Sequence, residues 1–529
     1  MCPGSPLPKP RYATLRSLYD PTKNPAKAAV LDPGTLVLYF PGPQTVTGDD
    51  VLELHIHGGP AVVKAVLAAI PQCARVSHNA RRQKPTVRYA EPGEFTRRAF
   101  YNDRLDLTQI EALGDTLSAD TEQQRRLAVR GTTNALSRRY ESWRQQLLYA
   151  RGELEALIDF AEDQQFDESP AKLVWSVAEQ VKTLKGQVQA HIVNASRGEL
   201  VRNGIRIALL GAPNAGKSSL LNRIVGREAA IVSKEEGTTR DVVEVGVDIG
   251  GFYCKFGDMA GLRGETIVIK NDSDFKSDGV SAIISEVEKE GIRRAKARAL
   301  DSDLVIVVLS IEREATDSES ESFSINIDAD VAETAARCTR DGQAIVYAVN
   351  KIDQLHTEEL PLKLEEVKHH IAKAHIDMAD RPIPSKPRSY ASGESIFAIS
   401  CKDAEHPNSA VADSGGIQSF LKGLIEVFED ITAPVTPETQ DGSEDPPLLE
   451  ESLGATERQR LLLVECLGRL DAFLSDVGSS TKLSAEVKED VDVVVAAENL
   501  RAAANCLAKI TGKGEAGDVE EVLGVVFEK

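Results

Sequence analysis

Aromatic residues are scarce in this 529-residue chain, at 5% with only two tryptophans, which leans the interior toward helices packed through aliphatic side chains. Cysteines are few and scattered: Cys2, Cys73, Cys254, Cys338, Cys401, Cys466 and Cys506 form no Cys-x-x-Cys pair. That excludes a zinc ribbon or a dense disulfide framework and points to a reducing compartment. No run of about 18 apolar residues occurs, so no membrane-spanning helix is expected. Cations are in deficit. Lys and Arg number 62 against 82 Asp and Glu, a formal charge of −20, which argues against a generally basic nucleic-acid surface. The opening Met1-Cys2-Pro3-Gly4-Ser5-Pro6-Leu7-Pro8 is neither a secretory signal nor an Arg-rich transit helix.

What is present is length enough for two to four domains. Residues 34–40 and 50–57 read as strands, the second by alternation at period two; Gly58-Gly59-Pro60 then opens a helical run, giving a small α+β domain over 1–103. From Leu105 the period becomes helical: Ile110, Leu113 and Leu117, then Leu136, Tyr140, Trp143 and Leu147, then Leu154 and Leu157, with more helix over 173–197. Apolar strands at 205–210, 304–309, 344–349 and 396–399 alternate with helices, which implies a mostly parallel sheet covered on both faces. A Pro/Glu/Asp/Ser-rich linker at 434–449 precedes a return to helical spacing. The fold expected is an α/β P-loop domain (199–435) inserted into an all-α domain (104–198 and 450–529), preceded by the α+β domain. Residues 265–285, 312–330 and 379–394 are polar and aperiodic and read as mobile surface insertions. Arg125, Arg126, Arg130, Arg138, Arg139, Arg144 and Arg151 crowd one helical segment, either as a solvated helix face or as an RNA contact.

The chemistry is written in a strand–loop–helix. After strand 205–210 comes Gly211-Ala212-Pro213-Asn214-Ala215-Gly216-Lys217-Ser218-Ser219 and an apolar helix through Leu220, Leu221 and Ile224. This is G-x4-G-K-S in its required setting. Its glycines allow close approach to phosphate, its backbone N–H groups meet the charge, Lys217 reaches the β/γ-phosphates and the Ser218 hydroxyl suits Mg²⁺. Asn350-Lys351-Ile352-Asp353 follows strand 344–349. An Asp353 carboxylate accepts from both N1–H and the 2-amino group of guanine, donors that adenine lacks in that arrangement. Ser400-Cys401-Lys402, after strand 396–399, stands where a backbone N–H reaches guanine O6. Between these motifs, Asp258-Met259-Ala260-Gly261 supplies Asp258 to the Mg²⁺ shell and the Gly261 N–H to the γ-phosphate, and Thr239 of Gly237-Thr238-Thr239-Arg240-Asp241 is a second Mg²⁺ hydroxyl. Leu262 occupies the place where Ras-like proteins orient water with a glutamine, so another group must do so.

These motifs, together with Pro10-Arg11-Tyr12-Ala13, Tyr39-Phe40-Pro41-Gly42-Pro43, Thr47-Gly48-Asp49-Asp50-Val51-Leu52-Glu53, His57-Gly58-Gly59-Pro60, Pro92-Gly93-Glu94-Phe95-Thr96-Arg97-Arg98-Ala99-Phe100 and Leu105-Asp106-Leu107-Thr108-Gln109, make the chain resemble the MnmE/TrmE family of tRNA-modification GTPases, in its eukaryotic mitochondrial branch. The resemblance implies that K⁺ replaces an arginine finger, held by Asn214, by groups near Ser233 and Glu235, and by Thr238, as two G domains dimerise transiently. It implies Glu288 as the residue that orients the attacking water, with Lys217, Thr238 and Thr239 completing the catalytic set. It further implies modification of the wobble uridine of tRNA at C5, an FAD-dependent partner of the MnmG/GidA type, and a homodimer through the N-terminal domain. A 5-formyl- or methylene-tetrahydrofolate is expected there, with Glu53 and Arg104 at matching positions. A mitochondrial location is implied by the resemblance, and a cytoplasmic one otherwise. The family's Gly-rich start and its Phe-Cys-x-Gly-Lys tail are not in this chain, so the expectation is a chain incomplete at both ends with impaired folate use. The competing readings are an Era-like GTPase switch on ribosomal or assembling RNA, and a scaffold that keeps nucleotide binding alone.

Overall fold

The computed structural model describes residues 1–3, 5–23, 29–76, 87–159, 170–228, 230–235, 244–257, 293, 296–314, 322–326, 328–355, 358–377, 396–405, 413, 415–435, 450–481 and 492–512. The chain divides into two compact units. One comprises Met1–Gly114, Gly131–Lys185 and Leu461–Lys529; the other comprises Asp115–Arg130 and Gly186–Arg460.

In the first unit, strands β1 (Thr14–Tyr19), β2 (Val30–Phe40) and β3 (Val51–His55) form an antiparallel sheet in that order, with Leu36 opposite both Leu15 and His55. Leu18 and Val37 turn inward, and helix α1 (Pro60–Val76) covers them with Val66 and Ala69. In chain order α2 (Glu94–Tyr101), α3 (Leu107–Ser118), α4 (Glu122–Gly131), α5 (Ala135–Asp159) and α6 (Pro170–Asn203) follow, of which residues 115–130 and 186–203 belong to the second unit. The heptad-like spacing of Tyr140, Trp143, Leu147 and Leu154 buries one face of α5. Its partner is a helix from the far end of the chain, Val493–Thr511, whose Ala503 and Ala504 let the two backbones approach. Asp492 caps that helix by accepting from Val494 and Val495 N–H at 3.1 Å each. Truncating a fully buried leucine such as Leu147 or Leu154 to alanine here costs about 2–5 kcal/mol.

The second unit is built on one sheet. Its strands are β4 (Ile205–Leu210), β5 (Ala230–Glu235), β6 (Glu244–Ile249), β7 (Phe252–Phe256), β8 (Leu304–Glu314), β9 (Ser322–Asn326), β10 (Ala344–Asn350) and β11 (Ile396–Ala398). The order is β11-β10-β8-β4-β7-β6-β5, with β9 pairing on β8. From β11 to β7 all neighbours are parallel; β6, β5 and β9 are antiparallel. Its two faces hold separate cores. One contains Leu220, Leu221, Phe420, Leu424 and Phe428; the other contains Val305, Val307, Val331, Ala335 and Val367. The helices are α7 (Lys217–Arg223), α8 (Ala329–Arg340), α9 (Leu360–Asp377) and α10 (Ile417–Thr432); α11 (Glu457–Thr481) begins in this unit and ends in the other, and Val493–Thr511 is α12.

The P-loop fold inserted in a helical domain, behind a small α+β domain, is the architecture found. One expectation fails in part. Residues 312–330 are not simply an aperiodic insertion: β8 continues to Glu314 and β9 returns antiparallel to it. Ser322-Phe323-Ser324-Ile325-Asn326 does alternate, and Phe323 and Ile325 join the core that lines α8. The stretch is too short for the alternation to stand out from its polar flanks. The stretches 265–285 and 379–394 lie outside the described residues.

Candidate guanine-nucleotide site

At the end of β4 the chain takes two left-handed turns, Asn214 at φ 62° and Gly216 at φ 97°. These reverse the backbone so that α7 starts at Lys217, with Leu220 N–H donating to Gly216 O at 2.9 Å. The glycines are steric necessities. A Cβ on Gly211 would run into the Val308 carbonyl, and one on Gly216 into the Asn350 side-chain amide. Buried Leu220 and Leu221 anchor α7 to the sheet, which fixes the loop from below. Lys217 Nζ donates to the carbonyls of Gly211 and Ala212, both at 2.8 Å, and lies over the loop. Burial lowers its pKa. An ammonium held against neutral carbonyls gains charge-assisted bonds when a phosphate arrives, so these residues fit a nucleoside triphosphate. Ser218 and Ser219 are exposed at the first turn of α7, where the Ser218 hydroxyl suits the Mg²⁺ that travels with such a phosphate.

The base-reading loops are joined to this cradle. Asn350, buried at the end of β10, donates from Nδ2 to Ala215 O at 2.9 Å and accepts at Oδ1 from Cys401 N–H at 3.3 Å. One side chain therefore ties the P-loop to both later motifs. Lys351 follows at φ 67° and turns the chain so that Asp353 faces Ser400. Asp353 Oδ1 accepts from Ser400 Oγ at 3.0 Å, while Lys402 Nζ stands 3.8 Å from Oδ2. Ser400 is fully buried, and its Oγ accepts from Asp403 N–H at 3.0 Å. Ile399 N–H to Val349 O (2.8 Å) and Ile352 N–H to Ile399 O (3.3 Å) fasten the loops edge to edge. Burial pushes the Cys401 thiol up to about 11, so it stays neutral beneath the loop. Sequence reading placed Asn350 with the base; its bridge between loops 135 and 51 residues away was not visible there.

Other candidate residues fall elsewhere. Ser233 and Glu235 lie on edge strand β5, opposite Gly246 and Glu244. Thr238, Thr239, Asp258, Gly261, Leu262 and Glu288 lie outside the described residues. Glu53, on β3, meets His55 Nε2 at 3.2 Å, and Arg104 donates to Thr45 O at 2.9 Å. The arginine-rich segment is largely paired: Arg125 and Arg126 with Glu122, Arg130 with Glu450, Arg144 with Glu141, and Arg151 with Glu155, while Arg139 lies 5.8 Å from the Trp143 ring. That pattern is the one a solvated helix face produces.

A phosphate cradle locked through one asparagine to an Asp-bearing loop and a Ser-x-Lys loop, on a mostly parallel sheet, defines a P-loop GTPase. Comparison with known proteins narrows the class. The model of the MnmE helical domain matches residues 107–529, and that of the GTP-binding protein TrmE N-terminus matches residues 1–104. The mitochondrial tRNA modification GTPase mss1 of Schizosaccharomyces pombe is 35% identical over 523 residues, covering 99% of this chain and 87% of its own. The tRNA modification GTPase MnmE of Paramagnetospirillum magneticum is 34% identical over 526 residues, 99% of this chain and 91% of its own. The mitochondrial 5-taurinomethyluridine-[tRNA] synthase subunit GTPB3 of Danio rerio is 43% identical over 298 residues, 56% of this chain and 52% of its own. The chain belongs to the MnmE/TrmE family, and it is a GTP-hydrolysing enzyme.

Proposed function

We propose that this chain couples GTP hydrolysis to modification of tRNA at C5 of the wobble uridine U34. The observation that carries the reading is the joining of the P-loop to the Asn-Lys-x-Asp and Ser-x-Lys loops in a chain that matches both family domains, 1–104 and 107–529. In this reading the α+β domain spans 1–103, the helical domain 104–198 and 450–529, and the G domain 199–435. Gly211, Asn214, Ala215, Gly216, Lys217, Ser218 and Ser219 hold the phosphates; Asn350, Lys351, Asp353, Ser400 and Lys402 hold the base; Asp258 and Gly261 attend the γ-phosphate. Ser218, Thr239 and Asp258 ligate Mg²⁺. Asn214, groups near Ser233 and Glu235, and Thr238 would hold K⁺, which would supply the positive charge that an arginine otherwise brings. Glu288 orients water.

The N-terminal domain carries a tetrahydrofolate one-carbon donor near Glu53 and Arg104 and forms a homodimer, while G domains pair transiently. An FAD-dependent MnmG/GidA-type protein is the partner, and the location is mitochondrial, as it is for the named fission-yeast and zebrafish relatives. The test is GTP turnover in KCl against NaCl at equal ionic strength. Turnover at least about tenfold faster in KCl is expected, within the range a positioned cation gives a phosphoryl transfer. Equal rates would sink the K⁺ assignment. A Glu288→Ala variant should bind GTP normally and hydrolyse it slowly.

A further inference from the structure

The β6–β7 hairpin lies in the chain between the two segments assigned above to the γ-phosphate and Mg²⁺: Gly237-Thr238-Thr239-Arg240-Asp241 precedes β6, and Asp258-Met259-Ala260-Gly261 follows β7. Its tip is a two-glycine turn, Gly250 at φ 61° and Gly251 at φ 90°, closed by Gly251 N–H donating to Asp248 Oδ1 at 2.7 Å. The tip is not free. A Cβ on Gly250 would strike Ile425 of α10, and Gly251 O accepts from Gln123 N–H, in the first turn of α4, at 3.1 Å. A Cβ added to Gly251 would come to van der Waals distance of Gln123 Cγ and Glu122 Cβ.

The next residue carries the contact onward. Gln124 Oε1 accepts from Asp120 and Thr121 N–H at 3.0 and 3.1 Å, and its Nε2 donates to Arg202 O at 2.9 Å. Arg202, in the last turn of α6, sends Nε to Asp115 Oδ2 at 2.6 Å and its two terminal nitrogens to the carbonyls of Ala455 and Gly454 at 3.1 and 3.0 Å. Leu127, Val201 and Leu453 pack together there. Three residues beyond Arg202, β4 begins and leads to the P-loop, and Gly204 before it lies against Tyr253 of β7. Helical residues 115–130 thus belong to the nucleotide-binding unit while α3, α4 and α6 continue covalently into the other.

The geometry points to a relay: the β6–β7 tip, Gln123, Gln124 and Arg202 carry the nucleotide state of the P-loop unit into helices α3, α4 and α6. A register or tilt change of the hairpin strains or moves Gln123, because the backbone bond from its N–H to Gly251 O holds the turn. Gln124 then passes the shift to Arg202, the point where three chain segments meet. Gln123, Gln124 and Arg202 touch no nucleotide and act as positioning residues. The relay rests on the GTPase reading above, and its test separates the two.

Amide exchange is followed in the full chain with GDP and with the non-hydrolysable β,γ-imido analogue of GTP. Exchange over 115–130 and 194–203 should differ between the two nucleotides by about threefold or more, as expected for coupled local opening. Gln124→Met keeps the length but removes the amide and with it the bonds to Asp120, Thr121 and Arg202. Gln123→Pro removes the N–H bonded to Gly251, in a first helical turn where proline is accommodated. Both variants should retain protection of the P-loop peptide and GTP turnover while losing the response in 115–130. Identical exchange of 115–130 in both nucleotides, or a response that survives both variants, overturns the relay. A P-loop peptide that neither nucleotide protects overturns the GTPase reading and the relay with it.

Discussion

The two ends of the nucleotide site handle polar groups differently. At the base end the functional side chains bond one another: Asn350 bridges Ala215 and Cys401, and Ser400 Oγ supports Asp353 while accepting from Asp403. At the phosphate end the key side chain, Lys217, rests on carbonyls that offer no countercharge, and the serines of the first helical turn are exposed. The difference follows from what each end must do. Discrimination of a base depends on an acceptor whose position is fixed beforehand, because a misplaced acceptor is left unpaired by right and wrong bases alike. Phosphate binding depends on charge and backbone dipoles, which tolerate a side chain that moves when the ligand comes.

The largest effect should come from Asp353→Asn. Reversing one acceptor to a donor at a site built to read guanine should weaken GTP by about a thousandfold or more and shift preference to xanthosine triphosphate. Nucleotide competition measures it, and an unchanged preference would remove the guanine assignment. Asn350→Ala comes next. It leaves the Ala215 carbonyl and Cys401 N–H without their buried partner, at about 1–3 kcal/mol each. It should lower both thermal stability and GTP affinity, whereas a change confined to stability would break the claim that one side chain serves both ends.

Away from the site, Asp32 is a structural counterpart to Asp353. Its carboxylate is fully buried, which raises its pKa, but the N–H groups of Gly34 and His57 and the His57 ring more than offset this and hold it at about 2, against an ordinary 3.8. A depressed folded-state pKa stabilises the native form above the unfolded value and loses that contribution as the pH falls through the folded one. Asp32→Asn should therefore cost stability at neutral pH, with the difference from the unaltered chain shrinking between about pH 4 and pH 2. A difference that does not change with pH would mean that Asp32 acts through shape alone. The smallest effect belongs to Arg125→Ala with Arg126→Ala. These exposed, solvent-screened pairs with Glu122 should leave the denaturant midpoint almost unchanged.

Local patterns were readable wherever one residue type had one physical use. The strand before Gly211, the glycines at 211 and 216 and the lysine at 217 are dictated by a turn that only such residues can make, so the P-loop stood out without any fold. The alternation of Val51 to His55 and the helical spacing of Tyr140, Trp143 and Leu147 were equally direct. Strand β9 was missed because five residues of alternation are too few to rise above polar flanks; pairing with β8 is what makes them a strand. The arginine cluster was ambiguous for the opposite reason. A row of cations looks the same whether its partners are phosphates or a neighbouring carboxylate, and only the side-chain directions showed Glu122, Glu141 and Glu155 in reach.

By itself, then, the sequence determined the P-loop turn, the Asn-Lys-x-Asp motif and the family, because each depends on residue identity at fixed short spacing. Tertiary structure alone decided that Asn350 joins the P-loop to the Ser-x-Lys loop, and that Gln123 and Gln124 join the β6–β7 tip to Arg202. Those bonds join residues between 51 and 135 positions apart, or backbone groups that every residue shares. Their partners are chosen by how the sheet and helices pack, and no local pattern encodes that choice.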